Sequence, residues 1–124
     1  MTVKKERVAV VGASPKPDRY SNKAVRLLVQ CGHEVVPIHP VASSIEGIPA
    51  FPRLDDLDGY IDTVTIYVSA KRSAALEGPI TRLRPNRVIF NPGAENPDLA
   101  AALEAQGIHT EEACTLVLLN TNRF

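Results

Sequence analysis

The stretch Val8–Leu28, VAVVGASPKPDRYSNKAVRLL, decides the fold. Its apolar run stops at Gly12 and a turn of small residues follows. Apolar positions then return at helical spacing, with Val25, Leu28, Val29 and Gly32 at i, i+3, i+4 and i+7. This pattern is a strand, a tight loop and a helix, the opening of a β-α-β unit. Ser21 or Asn22 is available as its N-cap, and Gly32 is placed to end the helix. The loop itself departs from the usual dinucleotide signature: G-x-G-x-x-G is replaced by Gly12-Ala13-Ser14-Pro15-Lys16-Pro17, with Arg19 and Lys23 close behind. Small residues let backbone N–H groups approach a ligand, Ser14 adds a hydroxyl, and the cations suit negative charge.

Outward from this unit, Arg7–Val11, Glu34–Ile38, Thr63–Val68 and Arg87–Phe90 are short apolar runs rich in valine and isoleucine. Continuous runs of this kind suit strands buried on both faces of a parallel sheet. A last short strand is expected near Ile108–Thr110. A helix is predicted over Ser73–Leu83, with Leu76, Ile80 and Leu83 on one face and a kink at Gly78-Pro79. The next helix has clearer signals: Asn96 can cap, Pro97 suits the first position, Asp98 favours the positive end, and Gly107 follows Gln106 as a stop. The segment His39–Gly59, broken by Gly47, Pro49, Pro52 and Gly59, reads as an irregular connection with one helical turn near Leu54–Leu57. Strands alternating with helices give an α/β domain over residues 1–124: a single Rossmann-like, doubly wound parallel sheet of about five strands with flanking helices. The simplest strand order is 3-2-1-4-5, with a ligand crevice between the first and fourth strands.

The 124 residues suit one domain, and the 14 basic and 14 acidic residues cancel, so the net charge points to neither nucleic acid nor an anionic membrane. No run approaches the roughly 20 apolar residues of a membrane span, and no signal-peptide order is visible, so a cytoplasmic location is expected. Cys31 and Cys114 are far apart and form no C-x-x-C, which indicates neither a disulfide framework nor a zinc site. Asp55, Asp56 and Asp58 lack the spacing and closing glutamate of a calcium loop and read as a solvated turn.

Two loops are expected to converge on the crevice: Gly12-Ala13-Ser14, and Asn91-Pro92-Gly93-Ala94-Glu95 at the amino end of the best-signed helix. The alternative for Gly12 is that it simply makes a tight turn. An ordinary NAD fold would close its second strand with an acid that bonds the adenosine ribose; this chain has His39-Pro40 there. The missing acid and the cations near Gly12 favour a ligand with more phosphate than NAD, which coenzyme A and NADP both satisfy. Replacing Gly12 by valine is expected to block such a ligand more than it unfolds the domain.

The motifs VAVVGASPKPDRYSNKAV, GHEVVPIHP, IDTVTIYV, VIFNPGAEN and ALEAQGIHTEEACTLVLL follow one another in an order that resembles the small CoA-binding domain proteins. Their Rossmann-like domain is also similar to the CoA-binding part of the succinyl-CoA synthetase alpha subunit. The resemblance implies that Gly12, Ala13 and Ser14 line the pyrophosphate, and that Arg19, Asn22 and Lys23 reach the phosphates. It puts His39 and Pro40 beside the adenosine portion, Val68 and Ser69 against the nucleotide, and Asn91, Pro92, Gly93, Ala94 and Glu95 near the pantetheine arm. Cys114 matches a cysteine near the end of the family's pattern. His39 stands where an asparagine is commoner, and FNPGAE replaces a tryptophan-glutamine version of the fourth loop.

Catalysis has less support. His33, His39 and His109 have no acid at metal-ligand or triad spacing, and His33 and His109 read as surface or strand-edge residues. No catalytic residue and no metal ligand is assigned. Glu95 reads as a decoration or cap of the helix beginning near Asn96, with general-base work as the alternative. Cys114 reads as an inert thiol, with a mixed disulfide to a thiol ligand as the alternative. Three functions stay open: a CoA or acyl-CoA binding, carrier or regulatory module without catalysis of its own; an NAD(P)-dependent enzyme or sensor; and a subunit of an ATP-using acyl-CoA ligase. Homo-oligomer and ligase partner chain are likewise both open.

Overall fold

In the computed structural model, which describes residues 4–124, the chain runs through β1 (Arg7–Val11), α1 (Tyr20–Gln30) and β2 (Glu34–Ile38). A small hairpin, β3 (Ser44–Ile45) and β4 (Ile48–Pro49), and a 3-10 turn at Leu54–Asp56 follow. Then come β5 (Thr63–Ile66), α2 (Ala70–Ser73) and α3 (Glu77–Leu83). The chain closes with β6 (Arg87–Phe90), α4 (Pro97–Glu104), β7 (His109–Glu112) and α5 (Thr115–Asn120). Five strands form one parallel sheet in the order β2-β1-β5-β6-β7.

Alternation along β1 shows how the two helical layers are held. Val8 and Val10 face a cluster with Val25 and Leu28 of α1 and Leu119 of α5. Ala9 and Val11 face the opposite cluster, with Ile80 and Leu83 of α3 and Leu99 and Leu103 of α4. Both faces of the central strands are therefore covered, which is why their sequences are continuously apolar rather than alternating.

The sheet order corrects the expected 3-2-1-4-5, since the third long strand, β5, lies beside β1 rather than beyond β2. Pro37 supplies the physical reason. It has no N–H to give to a ladder, so β2 suits an edge. The Pro37 carbonyl accepts from Phe51 N–H at 3.0 Å and His39 N–H donates to the Phe51 carbonyl at 2.9 Å, a single strap on that edge rather than another strand.

Local signals were partly overridden by packing. α1 begins at Tyr20 with Arg19 as N-cap and no side-chain cap, so Ser21 and Asn22 lie buried inside the helix instead of capping it. The predicted Ser73–Leu83 helix is broken into α2, a 3-10 turn at Ala74–Leu76 and α3. Pro79 falls in the first turn of α3, where a missing N–H is tolerated. At α4 the expected cap is present, with Asn96 Oδ1 accepting from Leu99 N–H at 3.1 Å and Pro97 opening the helix. β5 ends at Ile66, two residues short of the expected limit, and α5 is an element that the sequence pattern did not announce. His33, read as a surface or strand-edge residue, stands directly before edge strand β2 and is buried: its Nδ1 accepts from Glu6 N–H at 3.1 Å and its ring leans on Phe124.

Candidate functional site

From β1 the chain leaves through α1 on one face of the sheet; from β5 it leaves through α2 and α3 on the other. The crevice of this sheet therefore opens at the carboxyl ends of β1 and β5, not between the first and fourth strands as the expected order required.

Gly12 ends β1 with φ at 84°. A Cβ built there would lie 2.9 Å from Val68 Cγ1 and 3.3 Å from the Tyr67 carbonyl carbon. Glycine is thus required because the loop after β1 presses against the loop after β5, and a side chain would strike protein before ligand. This corrects the expectation that valine at Gly12 blocks ligand more than it disturbs the fold.

Beyond Gly12 the loop is fixed by polar contacts. Ala13 N–H donates to the Ile38 carbonyl at 3.2 Å, tying the ends of β1 and β2. Ser14 Oγ accepts from Lys16 N–H at 3.1 Å, and Asn22 Nδ2 donates to the Ser14 carbonyl at 2.9 Å and to Glu46 Oε2 at 3.0 Å. Arg26 donates to Asn22 Oδ1 at 2.8 Å and to the Pro17 carbonyl at 2.7 Å. The loop's outward shape is set from beneath, while α1 carries no side-chain cap and no acidic residue in its first turn. Its first-turn N–H groups receive no side-chain cap, and the positive helix end suits an anion.

Two adjoining clefts meet over this loop. The larger, about 830 Å³, has a mostly apolar lining that includes Val11, Ile38, Leu54, Val68, Leu76 and Pro79, with Arg53, Asp55 and Arg72 as its charged members. The smaller, about 440 Å³, is bordered by Lys16, Arg19, Tyr20, Tyr67 and Pro92. Gly12, Ser14 and His39 belong to both.

Of the residues singled out from sequence, Gly12, Ala13, Ser14, Arg19, His39, Pro40, Val68 and Pro92 line these clefts. Asn22 lies beneath the loop with its amide committed, and Lys23 is exposed with its Nζ 5.3 Å from the Tyr20 ring centre. The Ser69 carbonyl accepts the Arg72 and Ser73 N–H groups that start α2. Asn91 is a buried node: it donates to Thr65 Oγ1 at 2.7 Å and the Ile66 carbonyl at 2.9 Å, and accepts from Thr115 N–H at 2.9 Å. Ala94 is buried in the core, and Glu95 is exposed, accepting from Gly93 N–H at 2.9 Å. Cys114 is half-buried as the N-cap of α5.

Arg53, Arg72 and Tyr67 were not singled out. Tyr67 and Arg72 flank Val68 and Ser69, which the resemblance did single out; the expected strand ran to Val68 and the expected helix began at Ser73, whereas β5 ends at Ile66 and α2 begins at Ala70. Tyr67 is distinctive because its hydroxyl is buried without a well-formed hydrogen bond, though the Thr115 and Thr65 hydroxyls lie near. Burial pushes its phenol far above the ordinary value, and neighbouring Cys114 adds to the rise. Among the described residues no group of three or more His, Cys, Asp or Glu side chains is arranged to hold a metal ion.

A family described as a CoA binding domain matches residues 6–120. The chain belongs to that family. Its fold is similar to the crystal structure of an uncharacterized protein, with a TM-score of 0.91 and 33% identity over 98% of this chain and 100% of the other. A Thermus thermophilus structure, cell-free ID.343, gives a TM-score of 0.87 at 25% identity, covering 97% of this chain and 91% of that one. The uncharacterized protein YneT of Bacillus subtilis (strain 168) is 36% identical over 73 residues, which is 59% of this chain and 52% of YneT. The match thus spans about half the length of that curated relative. The same fold occurs within the dinucleotide forming acetyl-coenzyme A synthetase 1 of Ca. Korarchaeum cryptofilum, with a TM-score of 0.75 at 21% identity over 87% of this chain and 25% of that one. No helix among the described residues is long and apolar enough to cross a membrane.

Proposed function

We propose that this chain binds coenzyme A or an acyl-CoA across the two clefts and acts as a binding, carrier or regulatory module rather than as a catalyst by itself. The observation that carries this reading is the uncapped amino end of α1 beside Ser14, Lys16 and Arg19 at the β1/β5 crevice of a CoA-binding-family fold. In this reading the adenosine portion occupies the larger cleft against Val11, Ile38 and Leu54. The pyrophosphate meets Ser14, Arg19 and the first-turn N–H groups of α1. The pantetheine arm leaves past Tyr67 and Pro92.

The family match, rather than the cleft chemistry, favours this over NADP. The absence of an acid after β2, where His39 stands, counts against NAD and leaves NADP open, while the match of residues 6–120 to a family described as a CoA binding domain favours CoA. Calorimetric titration of the ligand-stripped protein with CoA, acetyl-CoA, NAD and NADP at matched salt tests the reading. Selective binding of the CoA species is expected; binding of NADP alone, or of none of the four, would overturn it.

A further inference from the structure

Arg53 and Arg72 reach the larger cleft from separate connections. Arg53 is the N-cap of the 3-10 turn at Leu54–Asp56, and Arg72 lies in α2 after β5; both side chains are exposed on the cleft lining. Their backbones are held. Arg53 N–H donates to Asp56 Oδ2 at 3.2 Å, and Arg72 N–H donates to the Ser69 carbonyl at 3.0 Å. Their guanidinium groups are not: among the described residues neither has a hydrogen-bond or ion-pair partner.

Most other arginines are engaged by the protein. Arg7 pairs with Glu34 at 2.8 Å, and Arg26 with Asn22 and the Pro17 carbonyl. Arg82 holds the Leu54 carbonyl at 3.1 Å, Arg84 the Gln106 carbonyl at 2.9 Å, and Arg87 pairs with Glu6 and Glu111. None of these borders either cleft. Arg19 on the smaller cleft is unengaged like Arg53 and Arg72, as is Arg123 away from both. Two cations against one carboxylate, Asp55, leave the larger cleft with an excess of positive charge. Adenosine brings no charge to meet it, and the pyrophosphate is taken at the smaller cleft. A phosphate monoester on the ribose remains: it is close to dianionic at neutral pH and offers three acceptor oxygens to planar guanidinium forks.

We infer that Arg53 and Arg72 form a second anion subsite, on the larger cleft, for a phosphate monoester borne by the ribose of the bound nucleotide. The inference rests on the CoA reading of the crevice and deepens it, because such a subsite separates CoA from dephospho-CoA. Neither arginine is among the residues that the resemblance assigns to ligand.

The test is calorimetric titration of the full, ligand-stripped chain at low salt with CoA, dephospho-CoA and adenosine 3′,5′-bisphosphate, the last carrying the ribose phosphate without the pantetheine arm. Wild type is expected to bind CoA about tenfold more tightly than dephospho-CoA, the effect of a charge-assisted contact. Arg53→Gln and Arg72→Gln are each expected to weaken CoA and the bisphosphate about three- to fivefold and to leave dephospho-CoA within about twofold. The double variant is expected to bind CoA and dephospho-CoA alike. Lys71→Gln removes a neighbouring charge outside both clefts and is expected to keep the wild-type ratio. All three positions are exposed, so melting temperatures close to wild type are expected. Equal wild-type affinity for CoA and dephospho-CoA, an unchanged ratio in the double variant, equal weakening of both ligands, or the same loss in Lys71→Gln would overturn this inference and leave the CoA reading standing. A wild-type protein that binds neither CoA nor dephospho-CoA would overturn that reading, and this inference with it.

Discussion

Asn22, wholly buried in the first turn of α1, donates at 2.9 Å to the carbonyl of Ser14, eight residues earlier in the chain. Because Asn22 also receives Arg26, which holds the Pro17 carbonyl, the loop from Ser14 to Pro17 is shaped from within the fold rather than by ligand. A preshaped loop loses less freedom on binding. Asn22→Ala leaves the Ser14 carbonyl and Arg26 without their partner. It is expected to lower unfolding free energy by about 1–3 kcal/mol and to weaken CoA binding as the loop relaxes. Urea denaturation beside calorimetry checks both effects, and wild-type stability and affinity would show that the loop holds its shape without Asn22.

Gly12 gives a prediction of the opposite kind, in which a residue on the cleft matters first for folding. Its φ of 84° and the 2.9 Å approach of an added Cβ to Val68 Cγ1 place strain on any side chain there. Gly12→Ala is expected to destabilise by about 1–3 kcal/mol, from left-handed backbone strain together with displacement of the Tyr67–Val68 loop. A melting temperature equal to wild type would contradict this packing.

Of Lys16, Arg19 and Lys23, the cations near Gly12, two face the smaller cleft and one does not. Arg19 and Lys16 line it, whereas Lys23 stands over the Tyr20 ring outside it. Arg19→Ala is expected to weaken CoA binding about tenfold at low salt and to flatten its salt dependence, since charge-assisted phosphate contacts are screened by ions. Lys23→Ala is expected to stay within about twofold, as a rim charge at surface dielectric. Titrations at two salt concentrations check the contrast; equal losses at the two positions would refute the division.

The fold and the site were legible to different depths. The β1–loop–α1 unit could be read because a valine run, a glycine at a required left-handed turn and helical spacing all agree. The α4 start was readable because Asn96 and Pro97 act through local geometry. Strand order was not, since it depends on which edge is open, and the one local clue, Pro37, bears on the edge rather than on the neighbour of β1. Element boundaries hid Tyr67 and Arg72, because the expected strand ran on to Val68 and the expected helix began only at Ser73. Ser21 and Asn22 look like caps in isolation, yet burial of that helix face moves the boundary to Arg19. Asn91 shows the same limit within the site, because only the fold reveals that its amide is occupied by Thr65, Ile66 and Thr115.

Tyr67 links the site to pH. Its phenol is raised well above its ordinary value of 10.0, chiefly by burial, so the folded state favours the neutral form. The associated stability is fully present below pH 10 and is lost as pH rises above it, because the unfolded chain ionises first. Tyr67→Phe removes that alkaline loss. Since the hydroxyl lacks a well-formed hydrogen bond, the variant is expected at neutral pH to be as stable as wild type or more stable by up to about 1 kcal/mol. Melting curves from neutral to alkaline pH check this; a variant as alkali-sensitive as wild type would contradict it.

The central claim is that CoA lies across both clefts at the β1/β5 crevice, and amide NMR shifts during a CoA titration test it most directly. Large shifts are expected at Gly12, Ser14, His39 and Tyr67 and in the first turn of α1. No shifts are expected at the amino end of the sheet, around Glu6, Arg87 and His109, where Arg87 pairs with Glu6 and Glu111 and His109 Nε2 lies 3.4 Å from Glu111 Oε2. Shifts confined to that far end, or no saturable shifts at all, would contradict it.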